Sequence, residues 1–420
     1  MPRSSTSSLD RTRADQLKRL RGGLLHVLRS NRFYRQRLHD VKGWDDFERL
    51  PFTTKADLAA DQAAEPPFGT NLTFPLDHYV RLHQTSGSSG QSPLRWLDTA
   101  ESWEWWRSIW AEHVYGSAGV GPRDRVFLAF SFGPFIGFWS AFAGAEKVGA
   151  LIISGGAMST EQRARAIMDL GATVLCSTPT YALRLAEVAT SIGIDLRASP
   201  IRVSIHAGEP GASILATRDA IDRAFGAHAM DHSGMTELGP TGFSCVMRDG
   251  LHLVESEFIF EVIQGEHPSK ATAFEGSGEL VATNLGRWGT PLVRYRTGDR
   301  VELSRAPCPC GSPFPKLVGG ILGRVDDMFT VRGVNLYPSQ VEDIVRRHPQ
   351  VVEFVIEHRR ERQMDEVTLL VECANGAAPA TRLESELRQA LGARIPVRQV
   401  AAGTLPRPEL KARRLVRIDM

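Results

Sequence analysis

Residues 173–192 read TVLCSTPTYALRLAEVATSI and residues 201–225 read IRVSIHAGEPGASILATRDAIDRAF, and both stretches follow one pattern. A short β-branched, apolar run gives way to a turn, and apolar residues at helical spacing follow. Thr173 to Ser177 therefore predicts a buried strand and Pro179 to Ile192 a helix; Ile201 to His206 and Gly211 to Phe225 repeat the pair. The alternation extends upstream, with Arg125 to Phe130 and Ala150 to Ser154 as strands and Thr160 to Leu170 as a helix. Strands separated by about ten to fifteen residues of helix imply parallel βαβ units, whose ligands sit beyond the C-terminal ends of the strands. Thr178-Pro179 and Ala207-Gly208-Glu209-Pro210 fall at that edge.

From Gly250 to Glu302 the texture changes to short alternating strands, including Glu257 to Ile263 and Gly278 to Thr283, as in an antiparallel sheet or distorted barrel. Beyond Gly323, a helix (Pro338 to Arg347), two strands (Val351 to His358, Glu366 to Cys373), a helix (Ala380 to Leu391) and a strand (Val397 to Val400) make a compact α+β unit. The expected fold is α/β. Residues 1–325 form a large N-terminal domain of parallel βαβ sheets plus an antiparallel or distorted-barrel subdomain, and residues 326–420 a small α+β lid.

The 420 residues are 42% hydrophobic and 23% charged, long enough to bury more than one core. Fifty basic residues against 48 acidic leave a formal charge of +2, so no global field points to nucleic acid or an acidic membrane as partner. Five cysteines are too few, and odd in number, for a disulfide scaffold, and they favour a reducing, cytoplasmic location. The first 42 residues hold 11 basic and 3 acidic side chains, yet Leu17, Leu20, Leu24, Leu25 and Leu28 lie at helical spacing. They read as one amphipathic helix laid on a domain, preceded by a frayed tail to about residue 12. Val126 to Ala145 lacks 20-residue membrane character despite carrying no charge, because Gly133, Pro134 and Gly137 interrupt it. A strand, a Gly-Pro turn and a buried helix fit better. Phe132, Phe135, Phe138 and Trp139 crowd that turn, either as core packing or as the wall of a flat aromatic pocket.

Four motifs carry the chemistry. The run Gln84-Thr85-Ser86-Gly87-Ser88-Ser89-Gly90 interleaves hydroxyls with glycines, which lets backbone amides and hydroxyls converge on phosphate oxygens. Asp231-His232-Ser233-Gly234-Met235-Thr236-Glu237 follows, then Tyr295-Arg296-Thr297-Gly298-Asp299. Residues 323–342 read GRVDDMFTVRGVNLYPSQVE. With Asn31-Arg32-Phe33-Tyr34-Arg35 and Leu50-Pro51-Phe52-Thr53-Thr54-Lys55, these strings make the chain resemble the adenylate-forming superfamily along nearly its whole length. Within that superfamily it resembles the phenylacetate-CoA ligase-like branch.

The resemblance implies an enzyme that activates a carboxylic acid with ATP as an acyl-adenylate, releases pyrophosphate and passes the acyl group to coenzyme A. Thr85 to Gly90 would hold the β- and γ-phosphates, and Ala207 to Pro210 would floor the adenine, with Asp231 to Met235 and Arg324 beside the nucleotide. Thr236 would hydrogen-bond the α-phosphate, Glu237 would ligate magnesium, and Asp299 would accept from the ribose hydroxyls. Lys411 would stabilise the charge that develops in the transition state, and Asp326 would be the hinge of a mobile lid. An aromatic acid would bind among Phe132, Phe135, Phe138, Gly239 and Pro240. The sequence departs from the superfamily's pattern twice: Gln91-Ser92-Pro93 replaces the base that usually follows the phosphate loop, and Ser233 stands where a tyrosine often stacks on adenine. An amine, a carrier-protein thiol or another acceptor uses the same nucleotide motifs, and an ATP-binding scaffold without turnover shares them too. Homodimers are compatible with the branch.

The cysteines give a second constellation. Cys308-Pro309-Cys310 is a thiolate knuckle, and Cys245 and His252 lie upstream. Three thiolates and an imidazole suit tetrahedral zinc, and similar placements occur in this branch; the other reading is reduced thiols beside a core histidine. Cys176 and Cys373 read as small buried residues.

Overall fold

The computed structural model describes residues 8–85, 93–264, 272–331, 334–361, 364–374, 380–407 and 414–418. They fall into two compact units. One contains residues 1–124, 131–152 and 232–318; the other contains 125–130, 153–231 and 319–420.

The second unit holds the parallel βαβ units. Strands Arg125–Leu128, Val174–Ser177, Val203–His206 and the first half of His228–Met235 pair in that spatial order, all parallel. The helices Thr160–Asp169, Pro179–Ser191 and Leu215–Phe225 connect them. Local chemistry sets their ends. Ser159 and Gln162 make a capping box, and Thr178 caps a helix whose first residue is Pro179. The chain from Gly211 to Ile214, expected as helix, is a turn; the helix starts at Leu215. His206 is buried between Ser177 (Nδ1 to Oγ, 3.2 Å) and Ser204 (Nε2 to Oγ, 2.8 Å), and burial depresses its pKa to about 4.

The rest of this unit contains the α+β fold expected near the C-terminus. Strands Val351–Glu361 and Met364–Cys373 form a long antiparallel pair, flanked in parallel by Leu415–Ile418 and Val397–Gln399. Helices Pro338–Val345 and Ala380–Leu391 cover them. Phe329, Val341, Phe354, Ile356, Leu369, Leu383 and Leu387 share a core made entirely of residues from this part of the chain.

The first unit is built on antiparallel pairing. Strands Phe258–Ile263, Gly276–Asn284, Tyr295–Ser304, Lys316–Val318, Gly250–Leu253, Gly239–Phe243 and the second half of His228–Met235 are neighbours in that order. The helix Ser8–Ser30 lies against this sheet: Leu20, Leu24 and Val27 are buried, and Gln16 Nε2 donates to the carbonyls of Glu255 and Phe258 at 2.9 and 2.8 Å. Two expectations need correction here. Residues 8–12 are helical, because the helix runs a full turn further toward the N-terminus than its leucines mark. Leu25 is 56% exposed and Val27 takes the inward position, since a 3.6-residue period carries 20, 24 and 27 on one face. Val126 to Ala145 resolves into a strand, a turn and the helix Ile136–Lys147, and no helix among the described residues is long and apolar enough to cross a membrane.

An unpredicted hairpin, Tyr79–Gln84 with Arg95–Thr99, brackets the Ser/Gly-rich run. After it, the helix Ala100–Ile109 continues into a π-helical turn, Trp110–Tyr115.

Candidate active site

In the second unit the expected edge loops are assembled at the C-terminal ends of the parallel strands. Glu209 Oε1 accepts from the Thr180 amide at 2.9 Å, which sets a carboxylate on the positive end of the helix Pro179–Ser191. Gly208 has φ of 98°, a left-handed conformation that lets the chain turn between Ala207 and Glu209. Ala207 N bonds Ser177 O at 3.3 Å, and Pro210 completes the turn. Asp231 lies beside His206 in register and accepts the Ser213 hydroxyl.

In the first unit the motif continues on the other half of the same strand. His232 Nδ1 donates to Gly242 O at 2.7 Å, and its ring meets Trp110 edge-on at 4.4 Å; burial holds its pKa at about 4, so the imidazole is neutral. Ser233 Oγ is 3.0 Å from Thr241 Oγ1, fully engaged inside the sheet. Gly234 is exposed, while Met235 and Thr236 are half-buried. Glu237 is buried and its Oε1 accepts from the Tyr295 hydroxyl at 3.0 Å.

Two residues that sequence reasoning missed support this turn. Arg287 Nη1 donates to the carbonyls of Thr236 (2.6 Å) and Glu237 (3.1 Å), while its Nε and Nη2 grip Asp98 at 2.6 and 2.7 Å. Burial works to raise the Asp98 pKa, but the Arg287 attraction and hydrogen bonds together with His83 outweigh it and lower the pKa. Asp98 and Arg287 are 189 residues apart, so no local pattern could have joined them.

Thr85 closes the base of the phosphate-loop candidate, exchanging two bonds with Leu94: its amide donates to Leu94 O and its Oγ1 accepts from Leu94 N, both at 3.0 Å. Ser86, Gly87, Ser88, Ser89 and Gly90 lie outside the described residues. Asp299 is buried behind Gly298, and its amide donates to Thr297 Oγ1 at 3.0 Å. Phe132, Phe135 and Phe138 are all half-buried. Phe135 and Phe138 meet edge-to-face at 6.3 Å, and Phe132 packs on Trp139 at 5.0 Å, whose indole N–H donates to Gly133 O. Gly239, at φ 136°, presses against Trp105 and Phe258 so closely that no side chain fits, and Pro240 follows it in the strand.

Arg324 Nε contacts Asp326 Oδ1 at 3.3 Å on an open surface, and Arg417 Nη2 donates to the carbonyls of Asp326 and Met328 at 2.8 and 3.1 Å. Lys411 lies outside the described residues.

Cys245, His252, Cys308 and Cys310 converge, all their ligand atoms within 4.8 Å of one another. The Cys245 and Cys308 sulfurs are 3.9 Å apart and Cys310 Sγ is 3.3 Å from His252 Nε2. Thiolates at ~2.3 Å from a tetrahedral zinc stand ~3.8 Å apart, so the spacing fits. His252 Nδ1 donates to Phe314 O at 2.9 Å, which fixes the tautomer that aims the Nε2 lone pair at the thiols. Burial pushes the Cys245 thiol up to about 11; the Ser312 amide and neighbouring thiols overcome the same effect at Cys310 and lower it. Lys316 Nζ stands 4.0 Å from Cys308 Sγ and 2.6 Å from Asp249, a cation beside the cluster. Cys176 and Cys373 are buried, as read from the sequence.

Residues 333–418 match the AMP-binding enzyme C-terminal domain. The chain is 30% identical to phenylacetate-coenzyme A ligase of Escherichia coli (strain K12), over 98% of this chain and 95% of that protein. It is 31% identical to the phenylacetate-coenzyme A ligase of Pseudomonas putida, over 97% and 94%. Among solved structures, 2-hydroxyisobutyryl-CoA ligase in the postadenylation state with 2-HIB-AMP superposes with a TM-score of 0.91 at 28% identity, covering 100% of this chain and 94% of the other. The same enzyme with 2-HIB-AMP and CoA in the thioesterification state gives 0.72 at 29% identity, over 100% and 94%.

Proposed function

The chain belongs to the phenylacetate-coenzyme A ligase family of adenylate-forming enzymes, and from that premise we propose that it activates an aromatic carboxylic acid and transfers the acyl group to coenzyme A. The end-to-end match to family members carries the reaction class, an AMP-forming acid–CoA ligase. A carboxylate oxygen attacks the α-phosphorus of ATP, the bond to the β-phosphate breaks and pyrophosphate leaves. The thiolate of coenzyme A then attacks the acyl carbonyl, and AMP departs.

This chain's residues divide that work. Thr85 to Gly90 cradle the outer phosphates, and Ala207 to Pro210, Asp231 to Met235 and Arg324 border the nucleoside. Thr236 donates to the α-phosphate, and Asp299 accepts from the ribose. Lys411 places a cation where negative charge grows between carboxylate and phosphate. Magnesium, when bound, would neutralise phosphate charge; Glu237 fits it, because Tyr295 holds one carboxylate oxygen and leaves the other for a hard cation. Residues 326–420 act as a lid turning at Asp326, a reading supported by their self-contained core and the exposed Asp326 side chain. Cys245, His252, Cys308 and Cys310 hold a structural zinc that ties the sheet ends together and takes no part in the chemistry.

The aromatic preference rests on the half-buried Phe132, Phe135 and Phe138, whose ring surface a flat ligand would finish burying. A screen of aryl and alkyl acids that resolves products tests the whole reading. Aryl acids should drive pyrophosphate release and yield acyl-CoA. Turnover with long alkyl acids alone would remove the aromatic assignment, and pyrophosphate release without acyl-CoA would point to a different acceptor.

A further inference from the structure

Arg287 and Asp98 expose none of their side-chain surface. Burying a guanidinium is costly, and well-packed apolar residues of similar volume would often fill the space of such a buried pair without that cost, so each contact the fork makes is informative. One edge of the fork binds Asp98 in bidentate fashion; the other donates to the consecutive carbonyls of Thr236 and Glu237. The guanidinium also lies over two aromatic rings, 5.5 and 5.1 Å from the Trp96 and Trp106 ring centroids. His83 Nδ1 stands 3.7 Å from Asp98 and adds a third side chain behind the anchor.

We propose that Arg287 is a positioning residue for nucleotide activation: anchored by Asp98, it fixes the Thr236–Glu237 backbone and so the direction in which Thr236 presents its hydroxyl to the α-phosphate. This rests on the reading of Thr236 given above. Two successive carbonyls turned toward one cation leave that dipeptide little freedom, and Thr236 is the half-buried residue of the pair, open toward a ligand. A lysine at position 287 keeps the charge but has no planar fork, so it cannot hold Asp98 and both carbonyls together.

The test measures AMP affinity by calorimetry and the KM values for ATP and acid in Thr236→Val, Arg287→Lys and Asp98→Asn. Thr236→Val should weaken AMP about tenfold, the cost of one lost hydrogen bond to a charged group. Arg287→Lys should weaken AMP and raise the KM for ATP by a similar factor while the KM for the acid holds. Asp98→Asn, which keeps the side chain's size, reads the same link from the anchor. If Thr236→Val binds AMP normally, the role of Thr236 is wrong. If it binds weakly while Arg287→Lys and Asp98→Asn bind AMP as wild type, the positioning role alone is overturned. An equal loss for acid and nucleotide marks a merely structural pair and also overturns it.

Discussion

Glu353 and Glu372 face each other across the antiparallel pair Val351–Glu361 and Met364–Cys373, and each is met by an arginine from a later part of the chain. Arg414 binds Glu353, and Arg407 Nη2 donates to Glu372 at 2.8 Å while its Nη1 stands 3.7 Å from Glu353. Opposed carboxylates in a sheet repel, so the two arginines are what allow both acids to be buried. Glu372, with no exposed surface, also accepts from the amides of Gly403 and Leu405.

Removing one partner of this network strands the others. Glu372→Ala should cost about 1–3 kcal/mol of unfolding free energy, because it leaves the buried Leu405 amide without its acceptor and the part-exposed Arg407 with Glu353 alone. Denaturant titration of the purified protein reads this directly. A loss under about 1 kcal/mol would show that the network is solvated and weak.

Arg407 and Arg414 flank the residues that include Lys411, and the lysine itself gives a sharper functional prediction. Lys411→Ala should slow acyl-adenylate formation by about 10²–10³-fold, in the range seen when one group stabilising transition-state charge is removed. Nucleotide binding should survive, and so should thiol transfer from an acyl-adenylate supplied ready-made, since the role proposed for Lys411 belongs to the first step. Rapid-quench measurement of each half-reaction separates the two. Unchanged adenylate formation would remove Lys411 from the mechanism.

Much of this architecture was legible because it repeats local rules. The run from Thr173 to Phe225 announces strand and helix through periodicity, and Thr178-Pro179 is a helix start that any reader of caps would mark. The cysteine cluster was legible from residue type, although 63 residues separate Cys245 from Cys308. What stayed hidden depends on pairing over distance. The hairpin around the Ser/Gly-rich run was missed because its first strand inverts the usual burial: Val80 and Leu82 are exposed in Tyr79–Gln84 while His83 is buried. Asp98 and Arg287 carry no motif at all; only the folded chain shows that a single guanidinium holds the turn that Thr236 and Glu237 occupy.

The cysteine–histidine cluster predicts metal content. Elemental analysis should find about one zinc per chain, as four protein ligands in a closed tetrahedral set require. Chelation, or Cys308→Ser, should lower the melting temperature while leaving the rate at low temperature unchanged in the fraction that remains folded. A protein free of zinc when purified under reducing conditions, with an unchanged melting temperature after chelation, would return the four residues to the status of buried thiols and an imidazole.

His206 and His232 predict how stability changes with pH. Burial depresses both from the ordinary value of 6.5 to about 4, with backbone acceptors at each only partly offsetting it. Between those values the unfolded chain binds a proton at each site and the folded chain does not, so unfolding takes up protons and stability falls as the solution is acidified. Above pH 6.5 neither form is protonated and these two residues contribute no slope. Near pH 5 each should contribute ~1.4 kcal/mol per pH unit. His232→Asn keeps a donor for Gly242 O and removes the titration, so it should lower the slope of unfolding free energy against pH by about one proton's worth. An identical slope in that variant would mean that His232 is protonated in the folded protein or reached by solvent, and its place as a neutral wall beside Trp110 would have to be given up.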